Sequence, residues 1–204
     1  MIDAAEDVAP LSWGWAGRGL EATSGDLHVV VPFPGGALVA LLDGLGHGPE
    51  AAAACQAAVP MLEACAADPV TSIVERCHEA TRRTRGLVMS LASIDASAGS
   101  LTWVGVGNVE GVVLRAPGGD RRDEAIAARP GVVGGQLPPL RATTLIFAPG
   151  DTLVLATDGI RGGFTTGLPR ALPPQELAES ILARFAKGTD DAHVVVARLD
   201  GGRP

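Results

Sequence analysis

The chain has no tyrosine, one lysine (Lys187), three cysteines, and aromatic residues at only 3% of its 204 positions. These scarcities each exclude something. Positive charge is carried by scattered arginines without a basic run, and the net charge is −7. Such a chain presents no electrostatic footprint to a phosphate backbone, so nucleic-acid binding is not expected. Cys55, Cys65 and Cys77 are odd in number and match neither a disulfide framework nor a zinc pattern. They read as buried thiols in a reducing cytosol. No apolar run reaches the length of a membrane span, so no membrane partner is expected. The stretch from Met1 to Pro10 holds Asp3, Glu6 and Asp7 where an export signal carries positive charge and an apolar core. A cytoplasmic location follows from these absences.

What the chain does have is 47% hydrophobic residues, 27 glycines and 15 prolines. That supports a folded core, and the length suits one domain spanning residues 1–204. Apolar, Val- and Leu-rich runs at Leu27 to Phe33 and Ala37 to Leu42, split by Pro34-Gly35-Gly36, predict a hairpin. Ala-rich sequence from Pro49 through Ala67 predicts a helix. A second is expected from Pro69 to about Arg83, with Asp68 as its N-cap. Strand signals return at Leu87 to Ile94, Leu101 to Val106, Val109 to Arg115, Thr143 to Phe147, Thr152 to Thr157 and His193 to Leu199. One more helix fits Pro174 to Phe185. Strands, a helix pair, more strands, a helix and a last strand do not alternate as in a doubly wound sheet. The order predicts an α+β fold, a four-layer α-β-β-α sandwich of two antiparallel sheets flanked by helices.

The residues that carry chemistry are acids at strand ends beside glycine. Leu38 to Leu42 runs into Asp43-Gly44, and Leu153 to Thr157 runs into Asp158-Gly159. Gly25-Asp26 opens a strand, and Asp190-Asp191 precedes the last one. Taken singly, each is an ordinary turn, as Asp151 after Pro149-Gly150 is read to be. Together they supply the carboxylates that hard ions such as Mg²⁺ and Mn²⁺ prefer. The loop Asp43-Gly44-Leu45-Gly46-His47-Gly48 leads into a helix start, which favours anions. It lacks the Gly-Lys-Ser/Thr of a nucleotide loop. His47 is open to three roles: ligand, proton donor or structural hydrogen-bonder.

That loop, with Ser24-Gly25-Asp26 before it and Ala156-Thr157-Asp158-Gly159 and Thr189-Asp190-Asp191 after it, resembles the SpoIIE-type branch of metal-dependent protein phosphatases of the 2C class. Gly105-Val106-Gly107-Asn108-Val109-Glu110-Gly111 and Gly131-Val132-Val133-Gly134 are similar to the small RsbX-type phosphatases of the stressosome. The motifs fill residues 24–191 in the family's order. The resemblance implies two ions, Mn²⁺ or Mg²⁺, and direct hydrolysis of phosphoserine or phosphothreonine by a water that the two metals activate. It implies that Asp43 bridges the ions with the Gly44 carbonyl on one of them, that Asp26 acts through water, and that Asp158 and Asp190 or Asp191 hold the second. A phosphorylated STAS-domain protein, set against a serine/threonine kinase, is the implied partner. Arg18 and Arg161 are candidate phosphate partners, and Asn108 shapes a substrate edge or a left-handed turn. Two rivals stand beside this: a phosphatase-fold binding module without turnover, and another two-metal phosphomonoesterase such as a nucleotide phosphatase.

Overall fold

The computed structural model describes residues 10–201; the acidic positions Asp3, Glu6 and Asp7 lie outside them. Ten strands and three helices are present among the described residues. One sheet has the order β1 (Leu11–Arg18), β10 (Ala192–Leu199), β9 (Thr152–Ala156), β6 (Glu110–Leu114), β7 (Glu124–Ile126). The other runs β2 (Asp26–Phe33), β3 (Gly36–Gly44), β4 (Leu87–Asp95), β5 (Ser100–Val106), β8 (Thr143–Ile146). Every pairing between these strands is antiparallel.

Side-chain alternation sorts each central strand into two buried faces. In β3, Val39 and Leu41 face the other sheet, while Leu38, Ala40 and Leu42 face helices α1 (Pro49–Ala64) and α2 (Val70–Thr81). In β10, Val195 and Ala197 face inward, and Val194 and Val196 meet α3 (Pro174–Phe185). Three apolar clusters thus lie between four layers, as the sandwich expectation requires. With both faces covered, the central strands read as unbroken apolar runs although their sheets are antiparallel. No helix among the described residues is long and apolar enough to cross a membrane.

Three local expectations need correction. Helix α2 begins at Val70, with Pro69 at the cap position and Asp68 instead paired to Arg76 at 3.1 Å. Helix α1 stops at Ala64 rather than Ala67. Strands β1 and β7 carry no legible signal: β1 is an edge strand with two glycines, held along its whole length by β10 from Leu11↔Leu199 to Arg18↔Ala192.

Asp151 is more than a turn residue. Its fully buried carboxylate accepts hydrogen bonds from Arg115 and Arg121 and from the backbone N–H groups of Ala116 and Ala148. Burial pushes its pKa up, but the backbone and arginine donors outweigh that and hold it below the usual carboxylate range. Asp151→Ala removes the buried carboxylate partner of Arg115, which keeps only the half-exposed Glu124 as a carboxylate partner, and leaves the Ala116 and Ala148 N–H groups without their acceptor. It is expected to destabilise the fold by about 3–5 kcal/mol, read by urea denaturation.

Candidate active site

The strand ends gather because register and layer packing coincide. In the β2–β3 hairpin Asp26 stands opposite Asp43. In the other sheet Val194 pairs with Ala156, which brings Asp158 and the Asp190-Asp191 pair to one end. Thr157 then stitches the sheets together: its hydroxyl donates to Asp26 Oδ2 at 2.8 Å and accepts from the His193 N–H at 2.9 Å. Gly44 lets helix α1 close on the site, since a Cβ there would lie 2.1 Å from the Ala51 carbonyl oxygen.

A cleft of about 450 Å³ opens over this rim, with Asp43, Asp158, Asp190, His47, Asn108 and Leu45 among its walls. Asp191 is not among its lining residues. Its two carboxylate oxygens accept the backbone N–H groups of Leu20 and Gly25, each at 2.6 Å, which pins the loop ahead of Asp26. The two neighbouring acids therefore have different surroundings. Asp190→Asn is expected to lower activity without a stability loss. Asp191→Asn is expected to cost about 1–3 kcal/mol of stability through the lost acceptors, both measured by kinetics and thermal melting on the same samples.

The secondary candidates divide. Asn108 enters the site, its side-chain amide donating to Asp158 Oδ2 at 2.8 Å, and the left-handed turn position belongs to its neighbour Gly107 (φ 98°). His47 also lines the cleft and meets Glu21 Oε1 through Nδ1 at 2.6 Å. The two arginines do not reach it. Arg161 is turned to the end of α3, where its guanidinium donates to the Arg184 carbonyl at 2.6 Å. Arg18 is exposed at the end of β1 and is not among the residues lining the cleft. Two participants had no local sequence signal. Glu21 sits in a loop whose position is set from Asp191, and Thr157 acts across the sheet gap; both contacts are long-range.

Electrostatics mark the rim as cation-seeking. Burial, followed by the surrounding carboxylates Asp26, Asp158, Asp190 and Asp191, pushes Asp43 up to about 8. Burial likewise pushes Asp26 up to about 7, against the Thr157 hydrogen bond and with help from Asp191, Asp158 and Asp190. Among the described residues none of these five acids pairs with an arginine or lysine, and neither residue type lines the cleft. Among the described residues no group of three or more Asp, Glu, His or Cys side chains is already arranged to hold a metal ion. An open set of carboxylates suits Mg²⁺-like ions, which keep several waters and take only one or two carboxylates each. Beneath the rim His28 Nδ1 lies 2.9 Å from His193 Nε2. Burial, then His28, pushes His193 down to about 3. That histidine stacks on Trp15 and is packed as a neutral ring.

Comparison with known proteins follows the same lines. The family model of stage II sporulation protein E (SpoIIE) matches residues 34–200. Phosphoserine phosphatase RsbX of Bacillus subtilis (strain 168) is 27% identical over 165 residues, covering 79% of this chain and 80% of that protein. A structure of RsbX in complex with magnesium superposes with a TM-score of 0.81 at 23% identity, over 93% of this chain and 96% of that one. A chain from work on the bacterial stressosome as a modular system adapted to control secondary messenger signaling gives a TM-score of 0.83 at 31% identity, over 92% and 99%. The catalytic domain of the serine/threonine protein phosphatase PstP with two manganese ions gives 0.65 at 21%, over 94% and 100%. With a family model spanning most of its length and a 31%-identical relative of the same fold, the chain belongs to the SpoIIE family of metal-dependent protein serine/threonine phosphatases of the 2C class.

Proposed function

We propose that this chain, as one catalytic domain, hydrolyses phosphoserine or phosphothreonine in a protein partner at the cleft over Asp43, Asp158 and Asp190. One observation carries the reading. A cleft lined by three carboxylates, with no arginine or lysine in its walls, repels a phosphate dianion unless divalent cations stand between them. The chemistry of the donor set fits Mn²⁺ or Mg²⁺. Asp43 would contact both ions, with the Gly44 carbonyl on one. Asp158 and Asp190 would hold the second, and Asp26 would act through water, one of its oxygens being engaged by Thr157. When bound, such ions polarise the phosphoryl oxygens and make a water easier to deprotonate.

The protein's own contribution is positioning. Asn108 fixes one oxygen of Asp158 and so sets the direction of the other. Asp191 and Thr157 hold the loop and the two sheets at fixed separation. None of the three cysteines is placed to act as a nucleophile: all are buried, and burial pushes Cys77 up to about 12 and Cys55 higher still.

The stressosome and RsbX relatives support a phosphorylated STAS-domain protein as substrate, opposed by a serine/threonine switch kinase in the cytoplasm. The test incubates the protein and Mn²⁺ with phosphorylated STAS domains, an unrelated phosphopeptide and free nucleotides, following phosphate release. Faster turnover of a STAS substrate is expected. Equal rates on STAS and unrelated phosphopeptides overturn the partner, and preference for nucleotides overturns the substrate class.

A further inference from the structure

Strand β1 lies at a sheet edge: among the described residues only β10 pairs with it, and no strand stands on its other side. Successive residues of an antiparallel strand turn their N–H and C=O groups to opposite sides. Those of Trp15 turn away from β10, and both are occupied. The Gln175 side chain, at the start of α3, reaches round the edge, where its Oε1 accepts the Trp15 N–H at 3.1 Å and its Nε2 donates to the Trp15 carbonyl at 2.9 Å. These are the two bonds that a residue of an adjoining strand makes. Glu179, one turn along α3, accepts from the same Nε2 at 2.8 Å and so fixes which end of the amide meets which group. Gly14 lets the helix start come this close, since a Cβ there would lie 2.4 Å from the Gln175 backbone nitrogen.

Sheet edges are ordinarily guarded by charge, proline, a bulge or shortness. Strand β1 has none of these guards: its eight residues carry no charge from Leu11 to Gly17, pair with β10 without interruption, and leave Trp13 and Trp15 45% and 42% exposed. On a chain of net charge −7, this uncharged stretch is where two copies meet without opposing like charges. It is also self-complementary. An antiparallel pairing centred on Gly14 sets Trp13 of one copy opposite Trp15 of the other, with Ser12 opposite Ala16 and Leu11 opposite Gly17. Aromatic pairs across strands are among those that stabilise a sheet. That register uses the Trp15 N–H and C=O, which Gln175 holds. We propose that the β1 edge is a pairing surface fitted to a second copy of this chain, and that Gln175 keeps it shut by standing in for the neighbouring strand. Two copies join through β1 only by giving up the amide's two bonds in each.

Sedimentation velocity over a protein concentration series tests this on wild type, Gln175→Ala, Gln175→Asn and the double variant Gln175→Ala with Trp13→Lys. Hydrogen exchange at the Trp15 amide is followed on the same samples. Gln175→Ala is expected to form dimers with a dissociation constant about 10²-fold below that of the wild type, because four bonds must be surrendered in the wild type and none in the variant. Gln175→Asn, whose amide is one carbon too short to span Trp15, is expected to behave in the same way and serves if the alanine variant does not fold. The Trp15 amide is expected to exchange faster in dilute Gln175→Ala than in the wild type, and to slow again as dimers form. Trp13→Lys puts a charge on the edge and is expected to disperse them. Gln175 variants that sediment like the wild type at every concentration overturn the proposal. So does association that survives Trp13→Lys or leaves Trp15 exchange unchanged, which places the contact elsewhere. Wild-type protein already paired through β1 overturns the part given to Gln175.

Discussion

Asp43→Asn is expected to abolish Mn²⁺-dependent phosphate release, lowering kcat/KM by about 10³-fold or more, while the protein stays folded. Asp43 lines the cleft with Asp158 and Asp190, faces Asp26 across the hairpin, and is the acid in the Gly-rich loop. Under the proposed two-ion mechanism, a ligand shared by both ions would carry several kcal/mol of transition-state charge stabilisation, and each 1.36 kcal/mol is a factor of ten. The amide is nearly isosteric, and Asp43 takes part in no ion pair among the described residues, so the fold loses no partner. Steady-state kinetics across a Mn²⁺ titration, with circular dichroism as the folding control, is the measurement. Activity retained within about tenfold in the variant would falsify the assignment of Asp43 as a metal ligand.

The second large effect is thermodynamic and concerns protein stripped of divalent ions. Asp26 and Asp43 have ordinary values near 3.8 and are raised to about 7 and about 8 in the fold. Between pH 4 and 8 the folded state therefore keeps protons that the unfolded chain has released. The free energy of unfolding then falls as pH rises through that window. Asp151 works in the opposite sense, its depressed value lending stability that is lost only at more acid pH. Ion-free protein is thus expected to melt lower at pH 8 than at pH 5. Asp43→Asn should flatten that slope and raise the melting temperature at pH 8. Mn²⁺ at a hundredfold its dissociation constant adds about 2.7 kcal/mol, about 5 to 10 °C for a chain of this size. A melting temperature that climbs from pH 5 to 8 without metal, or that ignores Mn²⁺, would count against a rim of crowded, unpaired carboxylates.

The strands and helices that bury apolar faces were legible because their pattern is local. Helix α3 begins at Pro174, as Pro173-Pro174 predict, and ends at Phe185 just ahead of Gly188, and the β2–β3 hairpin is announced by Pro34-Gly35-Gly36. Strand β1 was not legible, since Leu11–Arg18 is stabilised by β10 from the far end of the chain. The same divide runs through the site. Asp43 and Asp158 stood out as strand-ending acids next to glycine, and the cleft contains both. Arg161 was attractive only by proximity to Asp158 in sequence, and a long side chain three residues on is free to turn to the Arg184 carbonyl instead.

The sequence by itself determined the layer order, the strand-end acids and their family, because apolar period and residue type at a chain turn are properties of neighbours. Only the tertiary structure put Asp190 in the cleft wall and Asp191 on the Leu20 and Gly25 N–H groups, gave Asn108 to Asp158, and brought Glu21 onto His47. Those choices turn on which carboxylate oxygens the backbone N–H groups of a distant loop consume, and a buried donor must find its acceptor wherever the packed sheets bring one.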